Sequence, residues 1–147
     1  MRKATSNLVL LDLNVLLALA WPNHQFHGPA RRRLERSRHP WATCALTQLG
    51  FIRLSSNPHV VGAKVTPGDA ASLLANLVDD ARHSYLAAMP APTEAPLREV
   101  FDRILGNKQV TDAYLIALAD HHRCRLLTFD ARLRALGKVE LIGADST

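Results

Sequence analysis

Cysteine is nearly absent from this 147-residue chain: Cys44 and Cys124 are the only two, and they lack the C-x-x-C spacing of paired metal ligands. A disulfide framework and a cysteine-held zinc are thereby excluded, and a reduced, cytoplasmic setting is expected rather than secretion. Long hydrophobic runs are missing as well. The opening "NLVLLDLNVLLALA" follows basic residues as a leader would, yet Asp12 and Asn14 interrupt it. No stretch approaches the roughly 20 apolar residues needed to span a bilayer, so no membrane association is expected. Internal repeats and low-complexity tracts are absent. Acidic charge is in deficit, 13 Asp and Glu against 18 Lys and Arg, for a net +5. A pI near 9.8 points toward polyanions, nucleic acid first, although charge alone names no ligand.

What is present suits one domain over residues 1–147, with 48% hydrophobic residues and enough length to bury a core. Leu8 to Leu11 is an unbroken apolar run too short for a helix, as expected of a strand covered on both faces. Asp12 ends it, and Asn14 is the expected cap of a helix running to Ala20, stopped by Trp21-Pro22-Asn23. Residues 24–38 read as a mostly polar second helix, and "PWATC" as a short extended piece ahead of a helix over 45–54. Thr66-Pro67-Gly68-Asp69 is a helix start, with the helix expected to reach Ala81. "SYLAAM" is an expected strand, "PAPTEAP" a loop, and "LREVFDRIL" and "VTDAYLIALADHHR" two helices. "RLLTFD" and "VELIG" close the chain as strands. Strands alternating with helices predict an α/β fold with a central, mostly parallel sheet.

Asp12 and Asp130 share a setting, each at the end of a buried strand and more than a hundred residues apart. Carboxyl ends of neighbouring parallel strands line one crevice, where ligands bind, so both carboxylates are expected there. Either Asp alone is also explained as a helix cap. Asp112 opens the helix that leads into the strand before Asp130, with Thr111 as its expected cap; its bland role is a first-turn acid on the helix dipole. Three carboxylates in one pocket repel: charges about 4 Å apart cost on the order of 4 kcal/mol at an effective dielectric near 20. No Cys or His stands at ligand spacing, so an oxygen-only set favours a hard cation, Mg²⁺ or Mn²⁺. Such an ion activates water and stabilises charge on a phosphate, which matches phosphodiester hydrolysis.

These segments resemble the PIN domains, and among them the VapC toxins of bacterial toxin–antitoxin pairs. "LLDLNVLLAL", "LTQLGFIRLSSNP", "GNKQVTDAYLIALA" and "LLTFDARL" are similar to the family's four motifs in order and spacing, across nearly the whole chain. The resemblance implies a three-layer α/β/α fold, Mg²⁺- or Mn²⁺-dependent endoribonuclease activity, a homodimer, and inhibition by a small cognate antitoxin. It assigns Asp12, Asp112 and Asp130 to the metal, with Asn14, Asn107, Thr111 and Thr128 as supporting positions around them. It also assigns Gln48 to the catalytic set, as a departure: family members usually carry Glu in the motif that reads "TQLGF" here. The neutral amide keeps the shape and loses the charge. A PIN module that binds RNA or antitoxin without efficient cleavage is therefore the alternative.

Arg53, Ser56, Arg132 and Arg134 are the candidate RNA-phosphate contacts, by their nearness in sequence to Gln48 and Asp130. The run Arg31, Arg32, Arg33, Arg36 and Arg38, with Glu35 interleaved, reads as a solvated helix face. His121 and His122 suit a helix C-terminus, and Trp21 and Trp41 suit a core or a partner contact. A haloacid-dehalogenase phosphatase requires D-x-D after its first strand, where this chain has Asp12-Leu13-Asn14. A response-regulator receiver requires an adjacent acid pair and a late Lys, and neither appears.

Overall fold

The computed structural model describes residues 7–37 and 39–143. Five parallel strands form one sheet: β1 (Val9–Leu11), β2 (Trp41–Thr43), β3 (His83–Tyr85), β4 (Arg125–Thr128) and β5 (Val139–Leu141), in the order β3-β2-β1-β4-β5. The chain steps outward from β1 to β2 and β3, then returns to β4 and β5 on the other side. The order thus reverses between β1 and β4, the place where open α/β sheets build their ligand sites.

Helices cover both faces, giving the expected three layers. On one lie α1 (Leu13–Ala20), α2 (His27–Ser37), α3 (Ala45–Ser55), a short α4 (Pro58–Val61) and α5 (Pro67–Val78). On the other lie α6 (Ala95–Arg98), continuing into a 3-10 turn over Glu99–Arg103, and α7 (Val110–His121). Strand alternation divides the core between them. Val9, Leu11 and Leu127 face the α1 side with Phe51 and Trp41, while Leu10 and Leu126 face the α7 side with Leu118. An unbroken apolar run in β1 is thus the signature of a strand buried on both faces. No helix among the described residues is long and apolar enough to cross a membrane.

Several expectations change. Asp12, not Asn14, caps α1, its carboxylate accepting from Leu13 N at 2.8 Å. Thr111 does not cap α7, which begins one residue earlier behind Gln109. α5 ends at Val78, short of Ala81, and "LREVFDRIL" lies partly in the 3-10 turn. α4 was not foreseen: Asn57 accepts from His59 N at its start, and Gly62, at φ 74°, ends it in the left-handed conformation that glycine adopts without strain. Arg33 is not a solvated helix residue, since it pairs with Glu140 on β5. Arg31 pairs with Glu35 in the open. Residues 1–6, Arg38 and the side chain of Arg36 lie outside the described residues. Trp41 is core, while Trp21 Nε1 donates to Ser55 Oγ at 3.0 Å. The apolar side chains of "DAYLIALA" are largely buried in the core, as is Phe51.

Candidate active site

Alternation carries Asp12, one residue beyond Leu11, toward the α7 side of the sheet, as it does Thr128 on β4. The two meet there, Thr128 Oγ1 donating to Asp12 Oδ2 at 2.7 Å. Thr128 is fully buried and serves as a hub: its oxygen also accepts from Asn14 Nδ2 at 3.4 Å and from Asp130 N at 3.1 Å. Asn14 Oδ1 in turn accepts from Phe129 N at 3.5 Å. β1, the first turn of α1 and the end of β4 are thereby joined around one carboxylate. Asp12 is only 5% exposed. Burial pushes its pKa up, against the lowering effect of the bonds from Thr128 and Leu13 N.

Asp112 stands in the first turn of α7, half-buried. Burial, then the charges of Asp12 and Asp130, push its pKa up to about 6, with Arg132 opposing. The three aspartates thus share one electrostatic environment at the carboxyl edge of β1 and β4. Asp130 differs from the other two: its carboxylate accepts from Arg132 Nε at 3.0 Å and Arg132 Nη2 at 2.9 Å, which holds its pKa below the usual range. Its charge is matched; those of Asp12 and Asp112 are not.

Among the described residues no three of His, Cys, Asp and Glu converge as a ready cage. Mg²⁺ does not require one, because it binds through one or two carboxylates and keeps waters and substrate phosphates as its other ligands. Asp12 and Asp112, oxygen donors with uncompensated charge, fit such an ion.

The other sequence candidates are distributed unevenly. Asn14 and Thr128 belong to the site by their bonds. Asn107 lies in the 3-10 turn leading into α7 and Thr111 in its first turn, both exposed. Gln48 is partly buried, and its amide donates to Thr43 Oγ1 at 3.0 Å, whose hydroxyl also contacts His83 Nε2 at 2.7 Å. Thr43 shares the strand parity of Trp41, on the α1 side, and it is the residue that holds the Gln48 amide. The motif's glycine has a clear role. A Cβ on Gly50 would stand 2.7 Å from Leu13 Cδ2, so any larger residue there would have to displace the Leu13 side chain where α3 packs on α1.

Arg53 is exposed near the end of α3, and Ser56 is its C-terminal cap. Ser56 stands about 12 Å along the helix from Gln48. Ser56 Oγ donates to Ile52 O and Arg53 O. Arg132 is at the rim beside Asp130, its side chain 84% exposed. Arg134 turns toward a different cavity, at the far end of α7. The sequence reading missed Thr43, the partner of Gln48, and His83, the partner of Thr43; neither carries a motif signal.

The PIN domain family profile matches residues 9–139. The chain is 39% identical over 141 residues to ribonuclease VapC39 of Mycobacterium tuberculosis, covering 90% of this chain and 98% of that one. Ribonuclease VapC38 of the same organism is 38% identical over 134 residues, covering 89% and 91%. Among solved structures, the crystal structure of VapBC2 from Rickettsia felis bound to a promoter DNA fragment matches with a TM-score of 0.58. It is 13% identical and covers 91% of this chain and 96% of its own, a likeness of fold.

Proposed function

This chain belongs to the PIN-domain family, and we propose that it is a VapC-type toxin, an endoribonuclease that hydrolyses RNA phosphodiesters at the Asp12 and Asp112 crevice. A small antitoxin protein made with it is its inhibiting partner. One observation carries the reading: two aspartates without matched charge sit together at the switch point of the sheet, one with its pKa pushed up to about 6. A divalent ion, Mg²⁺ or Mn²⁺, would supply the missing positive charge, water activation and phosphate polarisation.

The chain's own residues prepare that chemistry. Thr128 and Leu13 N hold Asp12 by both oxygens, so the carboxylate does not rotate. Asp112 has a proton to lose near neutrality and is charged once a cation is beside it. The Asp130 carboxylate fixes the guanidinium of Arg132 at the rim, where its planar donors suit a phosphate of the incoming strand. The ribonuclease relatives favour cutting over binding alone. A homodimer is part of the proposal, with Leu46 and Leu49 on α3, 38% and 62% exposed, as its apolar contact.

Purified protein incubated with RNA should cut it in Mg²⁺ or Mn²⁺ and stop when the ion is chelated. RNA bound with the ion present but left whole would overturn the nuclease reading in favour of a binding module.

A further inference from the structure

At the opposite edge of the sheet from the aspartates, a cavity of about 680 Å³ opens between the Glu99–Arg103 turn, the C-terminal end of α7, the start of β4 and the turn before β5. Five cationic side chains line it, Arg103, Arg123, Arg125, Arg134 and Lys138, against the single carboxylate of Asp120. Since the whole chain has 18 basic and 13 acidic residues, what lies outside the cavity is nearly balanced, 13 against 12. The net positive charge of this protein is thus largely gathered at one concavity, away from the crevice it would be expected to serve.

The cavity is built on the core. Val100, Ile116 and Leu136 line it as buried residues, and Arg103 Nη1 donates to Leu136 O at 2.9 Å, which pins one guanidinium to the wall. Arg123 follows α7 at φ 59°, in the left-handed region where a helix usually ends on glycine. A charged side chain is kept there despite backbone strain.

We propose that this cavity grips the phosphate backbone of the substrate RNA several nucleotides from the scissile bond, an inference that rests on the ribonuclease reading. Its volume lies within the range of ligand pockets. No Phe, Tyr or Trp is among its lining residues, and His121 is the single ring there against five cations, so the contact reads charge before sequence. From Asp112 to His121 the helix rises about 13 Å. A strand reaching from crevice to cavity needs on the order of four nucleotides at 3.4 Å each. Long RNAs touch both sites, and very short ones do not.

The test is equilibrium binding to the Asp112→Asn chain, which removes cutting, using single-stranded RNAs of about 30 and about two nucleotides. Adding Arg125→Gln with Lys138→Gln should weaken binding of the long RNA about tenfold at low salt and flatten its salt slope by about 1.4, at 0.7 per lost contact. Binding of the short RNA and the thermal midpoint should stay the same. Arg123→Gly, which relieves the backbone, should also weaken binding of the long RNA without lowering the midpoint. Unchanged affinity and slope for the long RNA would overturn the proposal. So would inorganic phosphate or a mononucleotide stabilising the parent but not the double variant while RNA affinity stays equal, which would assign the cavity to a small anion. Parent protein that binds long RNA in this charge-dependent way yet cuts none would support the cavity and overturn the nuclease reading.

Discussion

Thr128 Oγ1 donates to Asp12 Oδ2 at 2.7 Å, joining two residues 116 apart in the chain at the ends of adjacent strands. A buried carboxylate without such a donor would hold its proton more tightly, because burial raises its pKa. Thr128→Val keeps the shape and removes the donor. It should cost about 1–3 kcal/mol, raise the Asp12 pKa further and reduce cleavage. Thr128→Ser should restore the pKa and the rate; a titration of Asp12 unmoved by Thr128→Val would show the bond to be incidental.

Asp112 sets a pH dependence whose sign is fixed by its raised pKa. In the metal-free protein the folded state holds this proton up to about 6, while the unfolded chain releases it near 3.8. Stability from this group is therefore full below pH 3.8 and is lost as pH rises through 6. Metal affinity should run the other way, rising about tenfold per pH unit toward 6 and then levelling. Thermal midpoints and Mn²⁺ titrations between pH 4 and 8 check both, and Asp112→Asn should flatten each curve.

Asp12→Asn and Asp112→Asn should each weaken Mn²⁺ binding and remove most cleavage with the circular dichroism spectrum intact, since each deletes charge rather than core volume. Loss of the spectrum in Asp12→Asn would mean that its cap on α1 and its bond to Thr128 matter to folding more than to chemistry.

Gln48→Glu adds a fourth acid at nearly constant shape. If the new carboxylate swings from Thr43 toward the aspartates, Mg²⁺-dependent cleavage should rise about tenfold or more, the scale of 1.4 kcal/mol off a barrier. Equal rates at saturating ion would show that the side chain stays with Thr43 and His83, outside the reacting group.

Light scattering at micromolar concentration should report a dimer. Leu49→Glu, at the most exposed apolar position of α3, should convert it to a monomer of unchanged fold. A monomeric parent would remove this part of the proposal.

Sequence alone determined what depends on local pattern. The buried run Val9–Leu11 makes a central strand, Thr66-Pro67 starts a helix, and the acids after strands mark the carboxyl edge of a parallel sheet. Side-chain alternation, proline geometry and capping act over a few residues, so they are legible without a fold. The close approach of α1 to Gly50, the bond of Thr128 to Asp12, the pairing of Arg33 with Glu140 and the contact of Thr43 with His83 were decided by tertiary structure. Each depends on which way a helix leaves the sheet or which face a strand residue presents to a neighbour distant in sequence. The basic cavity follows the same rule: its five cations come from four separate segments, and no local run of charge announces it.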